Sequence, residues 1–345
     1  TVGAAQQLTT LAGIPFYRDG GNDSIYTHNV SGTDDTAQYN TAYGITAMDA
    51  ITTGDTNTAM GYGAAGSLTG GARNVAIGYE ALLTNTTTSG NVAIGKDALK
   101  VSVADYNTAV GDGALAANTT GASNVALGRL ALTANTTGTR NIAIGDSAND
   151  LADTENDNIA IGFEAMTAQI AGASQNIAVG NYALDALTSG DGNTVVGHNA
   201  GTANTTGELN VAIGYQAFEA NTTAASNVAV GAKALKANTT GASNTAVGRD
   251  ALLLNTTGTR NTAVGYHALD SNTTANNNVA VGYDSLQANT TGTGNSALGK
   301  DSLKATTTGT YNTALGFGAL EVNTTASFNT AVGSSALLAN TTGTR

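Results

Sequence analysis

The hydrophobic and polar positions of this chain repeat every 17 residues over most of its length. Each repeat begins with Asn, continues with Thr, Val, Ile or Ser, then Ala in nearly every copy, an apolar residue and Gly. The pattern occurs 18 times between Asn40 and Asn329, with one spacing of 16 residues after Asn91 and one of 18 after Asn158. Such a repeat predicts stacked, equivalent units instead of an ordinary globular domain.

We number the positions of each repeat from 1, its asparagine, to 17. Positions 2–4 alternate β-branched residues with alanine, which predicts a short strand. Position 5 is glycine in every copy, from Gly44 to Gly333, and is expected to end that strand. Positions 7–10 (x-Ala-Leu-x) predict a second short strand, and the Asn-Thr-Thr-Gly stretch that often begins at position 12 predicts a wider turn.

A repeat with two strands and two turns is one coil of a β-solenoid. We therefore predict an all-β fold, a parallel β-roll of about 18 coils of 17 residues, over residues 40–345. Residues 23–39 are a degenerate first coil in the same register, and residues 1–22 are an N-terminal lead-in with the single proline, Pro15. Because the chain stops at a repeat boundary, we expect the natural protein to continue beyond residue 345.

Equal repeat lengths place like residues above one another at the strand spacing of a sheet, about 4.8 Å. Two ladders of stacked residues are expected to hold the coils together. The position 1 asparagines are predicted to hydrogen-bond from coil to coil, and the position 5 glycines to form the turn. Representative members are Asn74, Asn124, Asn227, Asn261 and Asn295, and Gly78, Gly128, Gly231, Gly265 and Gly299.

Alanine occupies position 3 in 17 of the 18 copies, with Val195 as the exception. We assign positions 2 and 4 to the core with the leucine of position 9, so that alanine 3 points outward. A small residue on an outer face favours close approach of another backbone, and this predicts a homotrimer around a threefold axis. A monomeric solenoid that uses alanine for tight packing is the alternative. Members of the predicted inter-chain stripe are Ala76, Ala126, Ala229, Ala263 and Ala297.

Composition excludes several classes of function. The chain has no cysteine, which excludes disulfides, thiolate metal sites and cysteine catalysis. Twenty-five acidic against 13 basic residues give a net charge of −12, which argues against nucleic-acid binding because phosphates require a basic surface. No apolar run reaches about 18 residues, so we expect no membrane insertion of this segment.

Three local motifs suggest chemistry but have simpler explanations. Residues 61–66 match G-x-G-x-x-G, but they lie inside a repeat without the βαβ context of a dinucleotide site. Residues 20–26 resemble a single copy of a calcium-binding repeat, but one copy alone indicates a turn before the first coil. The alternating carboxylates Asp153, Glu155 and Asp157 could hold a hard cation, but a solvated acidic loop explains them more simply. The histidines, His28, His198 and His267, belong to no recurring catalytic set. We therefore expect no enzyme activity, no cofactor and no metal.

Other periodic residues point to possible binding functions. Tyr or Phe often occupies position 6 or 7, as in Tyr79 and Phe163, where rings could stack on glycans. Threonines at positions 13 and 14 form a repeated hydroxyl array, which suggests an ice-binding solenoid as an alternative. The Asn-Thr-Thr tripeptides at Asn118, Asn204 and Asn255 formally match N-glycosylation acceptors, although a turn role explains them equally well.

The phrase Asn-Val-Ala-Ile-Gly at residues 74–78 and 91–95 resembles the head repeat of trimeric autotransporter adhesins of the YadA type. The longer unit, as in residues 261–274, looks more like repeats of phage tail-fibre proteins. This resemblance covers about residues 40–345 and implies a trimeric, left-handed parallel β-roll on a virion or bacterial surface.

The expected function is therefore structural: an extracellular fibre segment, such as a tail-fibre shaft, that supports attachment to a host or surface. Its partners would be itself, as a homotrimer, and a cell-surface glycan or receptor bound through a tip outside this chain. A bacterial adhesin head that binds glycans or matrix is the alternative from the same resemblance.

Overall fold

The computed structural model describes residues 10–11, 14–15, 17–18, 25–26, 36–168 and 172–343. These residues form β-strands and turns and include no helix. The predicted all-β parallel solenoid is confirmed, because within each of the two compact units described below one short strand of each repeat pairs in parallel with the strand of the next repeat. The described part of the N-terminal segment adds short strands with antiparallel pairing.

The strands are short, two residues each before residue 27 and three residues each in the repeats. They are β1 (Thr10–Leu11), β2 (Ile14–Pro15), β3 (Tyr17–Arg18), β4 (Ile25–Tyr26), β5 (Thr41–Tyr43), β6 (Thr58–Met60), β7 (Val75–Ile77), β8 (Val92–Ile94), β9 (Thr108–Val110), β10 (Val125–Leu127), β11 (Ile142–Ile144), β12 (Ile159–Ile161), β13 (Ile177–Val179), β14 (Thr194–Val196), β15 (Val211–Ile213), β16 (Val228–Val230), β17 (Thr245–Val247), β18 (Thr262–Val264), β19 (Val279–Val281), β20 (Ser296–Leu298), β21 (Thr313–Leu315) and β22 (Thr330–Val332).

The chain forms two compact units, Thr1–Asn158 and Ile159–Arg345. In the first, β4 to β11 pair in parallel in chain order, β3 pairs antiparallel with β4, and β1 pairs antiparallel with β2. In the second, β12 to β22 pair in parallel in chain order. Equivalent repeat positions lie opposite one another, as Ala229 does Ala246, so the 17-residue spacing sets the register.

The second strand predicted at positions 7–10 is wrong, because these residues form turns with left-handed backbone. Positions 7 and 9 have positive φ, as in Lys233 (60°) and Leu235 (51°), and position 17 does as well, as in Ser243 (60°). Alternating left-handed residues cannot form a strand, whose φ is near −120°. The periodic Ala-Leu pair of positions 8 and 9 therefore marks a sharp corner of the coil.

A leucine at a left-handed position is unusual, and burial explains why the fold accepts it. The left-handed backbone costs about 1–2 kcal/mol for a residue with a Cβ. Leu235 and Leu252 are 0% exposed, and full burial of a leucine side chain contributes about 1.5–3 kcal/mol. The gain from burial is therefore large enough to offset the backbone strain at position 9.

The predicted directions of the strand side chains are wrong for both faces of the sheet. Alanine 3 lies inside the coil of its own chain, and positions 2 and 4 face outward, half-buried or exposed, as the burial of β16 shows. Because the coil is thin, only a small side chain fits between the strand and the turns opposite. The residues assigned to an inter-chain stripe are 0–1% exposed within a single chain: Ala76, Ala126, Ala229, Ala263 and Ala297.

The inside of each coil is partly polar, and asparagine side chains supply its hydrogen bonds. Asn244 accepts from the backbone N–H of Asn261 at 2.9 Å, and its amide donates to the carbonyl of Gly258 at 2.8 Å. The first bond joins neighbouring coils and the second closes one coil. Asn74, Asn124, Asn227, Asn261 and Asn295 are 0–1% exposed, and their Oδ1 atoms accept equivalent bonds from the next coil.

A second asparagine ladder runs along position 12 in part of the chain. The Asn255 amide donates to Oδ1 of Asn238 at 2.7 Å and to the carbonyl of Gly258 at 3.0 Å. Asn272 repeats the first bond toward Asn255 at 2.7 Å. These bonds satisfy buried carbonyls of the turn, which would be costly to leave unpaired.

Within each unit the position 5 glycines form a column in which backbones approach closely. Their φ values lie between 126° and 144°, a region that only glycine adopts at low cost. A Cβ on Gly231 would lie 2.6 Å from the carbonyl carbon of Gly248 in the next coil. Gly78, Gly128, Gly265 and Gly299 have the same geometry, with 2.6–2.7 Å to the next glycine's carbonyl carbon.

Candidate functional surfaces

The candidate nucleotide motif does not have the surroundings of a phosphate site. Gly61 ends β6 and begins a turn, and Gly63 occupies the left-handed position 7 with φ of 65°. The following residues continue the turns of the coil instead of opening a helix whose N-terminus could face a pyrophosphate. The described part of the chain contains no helix that could span a membrane.

The acidic loop has structural uses for each of its three carboxylates. Asp153 accepts a hydrogen bond from the Thr136 hydroxyl, and Glu155 accepts from the backbone N–H groups of Asp153 (2.7 Å) and Thr154 (2.9 Å). Asp157 pairs with Arg140 at 2.6 Å, which lowers the pKa of the Asp157 carboxyl. No group of three metal-ligating side chains forms in the described ranges. Most of residues 20–26, and His28, lie outside them.

The aromatic residues of positions 6 and 7 form columns on the outer surface. Tyr62 and Tyr79 stack at 5.4 Å, as do Tyr266 and Tyr283. In a third column, His198 stands between Tyr182 and Tyr215, with centroid distances of 6.1 and 5.9 Å. The stacked pairs cover one face of each ring, whereas Tyr182 meets His198 edge-on, with the ring planes at 79°. The columns therefore contribute to the stacking of coils.

Cations extend one of these columns. Arg249 lies 5.5 Å from the Tyr266 ring centre, and Lys300 lies 5.6 Å from Tyr283 and 5.4 Å from Phe317. Each contact is worth about 0.5–1 kcal/mol at an exposed site. Their sum favours a fixed coil-to-coil register in the second unit.

The threonines of position 13 do not present free hydroxyls. Thr205 donates its hydroxyl to the carbonyl of Thr222 at 3.0 Å, and Thr222 donates to Thr239 at 3.1 Å. The exposed hydroxyls are those of position 14, such as Thr223, and they form a single file in a turn. A single file lacks the second parallel row of a flat ice-binding face, so the hydroxyl geometry does not favour that function.

The possible glycosylation acceptors are buried. Asn118, Asn204 and Asn255 are 0–1% exposed, and their amides donate to turn carbonyls at 2.9–3.1 Å. An amide in this position is not accessible for modification in the folded chain. The asparagines of the Asn-Thr-Thr tripeptides therefore stabilise the turn that begins at position 12.

Ion pairs concentrate on the corner formed by positions 6, 7 and 10. In the first unit Lys100 bridges Glu80 at 2.6 Å and Asp97 at 3.1 Å, and in the second Lys304 bridges Asp284 and Asp301 at 2.9 Å each. The hydrogen bond from Lys100 lowers the pKa of Glu80. The bonds to Asp284 and Asp301 raise the pKa of Lys304.

Asp270 is a partly buried carboxylate in a cluster with His267, Asp250 and Asp284. Burial raises the pKa of Asp270, the nearby Asp250 and Asp284 raise it further, and His267 acts in the opposite direction. His267 itself lies 3.4 Å from Asp250 and 3.7 Å from Asp284. A raised pKa in the fold means that the ionised form of Asp270 destabilises the folded state above its unfolded pKa.

The Asp270→Asn variant is therefore expected to melt about 2 °C higher than the native chain at pH 7, because it removes an unfavourable buried charge. The difference should disappear below about pH 3, where Asp270 is protonated in both states. Melting followed by circular dichroism between pH 3 and pH 8 measures it.

The matched control is Asp157→Asn, which removes a carboxylate whose pKa is lowered by Arg140. It should lose stability at neutral pH and recover the native value as pH falls, the reverse of Asp270→Asn. Equal effects of the two variants at all pH values would contradict the assignment.

Comparison with known proteins does not assign the chain to a family. No family model matches the chain, and no curated protein is significantly similar to it.

Proposed function

We propose that this chain is a structural segment of a homotrimeric extracellular fibre, of the phage tail-fibre type, that supports attachment to a host or surface. The observation that carries the proposal is the outer face of the sheet, defined by positions 2 and 4 of the strands. In the second unit this face is lined mainly by Val, Ile, Thr and Leu over the eleven strands β12 to β22. Large apolar faces of this kind mark protein interfaces.

Energetics favour covering this face. Val228 and Val230 are already mostly buried in the single chain, so full burial of each adds at most about 1 kcal/mol. Summed over the strands of the second unit, this gain is of the same order as the cost of association, about 4–15 kcal/mol. The interface is thus assigned to positions 2 and 4, and alanine 3 belongs to each chain's own core.

The number of chains and the setting rest on the resemblance of the Asn-Val-Ala-Ile-Gly repeat to trimeric fibres and adhesins. Three chains around one axis can each turn one sheet face inward. The net charge of −12 supports a role at a surface, because like charges limit non-specific adhesion between neighbouring fibres.

Light scattering is expected to give a native mass of three times the 34.1 kDa chain. A variant with lysine at position 4 of three adjacent strands, Ile213→Lys, Val230→Lys and Val247→Lys, should fall to the single-chain mass while it keeps its β-structure. Lysine on this outer face leaves the core of the coil intact, but burying nine charges in a trimer is highly unfavourable.

The control variant carries the same three charges at the exposed position 14 of the same coils, as Thr223→Lys, Thr240→Lys and Thr257→Lys. It should retain the native mass. A native mass near one chain would contradict the trimer, and dissociation of the control to the same extent would show that net charge alone drives the effect.

A further inference from the structure

The second unit carries an open groove lined by residues of repeat positions 7, 10 and 11. Its volume is about 600 Å³, within the range of small-molecule sites. Its floor is formed by the position 11 alanines of three consecutive coils, Ala203, Ala220 and Ala237. In the next coil Leu254 replaces alanine at this position and also lines the groove.

Charged side chains line the edge of the groove. Lys236 and Glu219 pair at 3.1 Å, and Lys236 also donates to the Gln216 side chain at 3.1 Å, so these charges largely compensate each other. Lys233 lines the same groove and makes no ion pair within the described residues. The groove therefore has an excess positive charge in a chain whose net charge is −12.

We propose that this groove binds an acidic sugar at the end of an oligosaccharide. The flat alanine floor fits the apolar C–H face of a pyranose ring, and the ring hydroxyls would face water, Thr202 and Glu219. The carboxylate would pair with Lys233, a charge-assisted contact. A longer polyanion is disfavoured because the rest of the surface is acidic, and a fatty acid is disfavoured because an open groove leaves its chain in water.

This proposal does not depend on the trimer, because none of the lining residues belongs to positions 2–4. A variant that fails to bind can therefore be distinguished from one that fails to assemble by its native mass.

Binding is tested by NMR titration of the full chain with sialyllactose, lactose and octanoate. We expect a Kd of about 1 mM for sialyllactose, which corresponds to about −4.1 kcal/mol, and at least about tenfold weaker binding of lactose, which lacks the carboxylate. Ala220→Leu should fill the groove and Lys233→Gln should remove the unpaired charge, each weakening binding at least about tenfold.

The control is Ala305→Leu, the same substitution at position 11 of a coil outside the groove. It should bind as the native chain does, and Leu254 shows that a coil accepts leucine at this position. The proposal is overturned if lactose binds equally well, if octanoate binds more tightly than sialyllactose, if Ala220→Leu binds unchanged, or if no probe binds at about 20 mM.

Discussion

The Gly248→Ala variant is expected to lose about 4 kcal/mol of stability, because two costs combine at this position. The φ of Gly248 is 133°, where a residue with a Cβ is strained by about 1–3 kcal/mol. The new Cβ would also lie 2.5 Å from the carbonyl oxygen of Gly265, a backbone atom that cannot move without shifting the next coil. Urea unfolding followed by circular dichroism measures the loss.

The last glycine of the column separates the two costs. Gly333 has a similar φ of 126°, but a Cβ there meets only the Cβ of Ala336, at 3.9 Å. Gly333→Ala should therefore cost only the backbone strain, about 1–3 kcal/mol. If both variants lost the same stability, close contact between neighbouring glycine backbones would not be what requires glycine at position 5.

The sequence allowed the coil to be predicted well because its determinants are periodic. A spacing of 17 residues places Ala229 opposite Ala246 in the sheet, and the glycine of position 5 marks the end of each strand. Register in a parallel solenoid follows directly from repeat length, so the pairing of strands could be predicted from counting alone.

The direction of side chains could not be predicted in the same way. Alternation over three residues assigns Val228 and Val230 to one face and Ala229 to the other, but it does not say which face is inside. We placed the larger residues in the core, as in an ordinary sheet. In a coil this thin, the interior is filled by Ala229, Leu235 and the asparagine side chains, and the β-branched residues remain outside.

The turn at positions 7–10 was mispredicted for a related reason. Ala and Leu have no strong preference for left-handed backbone, so the sequence Lys233-Ala234-Leu235 gives no local signal of it. A weak signal does exist in other copies, since Gly63, Gly113 and Gly318 occupy position 7. Glycine that replaces larger residues at one repeat position indicates positive φ.

Substituting leucine for asparagine is expected to change the free energy of unfolding in opposite directions at two buried positions. Asn149 occupies position 9, where most coils have leucine, and it is 0% exposed with no hydrogen-bond partner for either amide atom. Asn149→Leu should therefore stabilise the chain by about 2 kcal/mol, since an unpaired buried polar group costs about 1–3 kcal/mol. Leu132, one coil earlier, adopts nearly the same φ, 50° against 51°.

Asn244→Leu should instead destabilise the chain by about 3 kcal/mol. It removes the acceptor of the Asn261 N–H, which is left buried without that partner, and one of the two donors to the Gly258 carbonyl, which keeps only the bond from Asn255. Leucine also adds apolar burial in both variants, so hydrophobicity alone predicts that both gain stability. Urea unfolding of the two variants decides between these accounts.

Opposite changes in the free energy of unfolding of the two variants would show that the position 1 asparagines stabilise the chain through the backbone hydrogen bonds they complete. They would also show that a polar interior by itself adds no stability. A loss of stability in Asn149→Leu would mean that its amide is hydrogen-bonded in the folded protein. A gain in Asn244→Leu would mean that neighbouring coils do not depend on the asparagine ladder, and that strand pairing and leucine burial suffice to stack them.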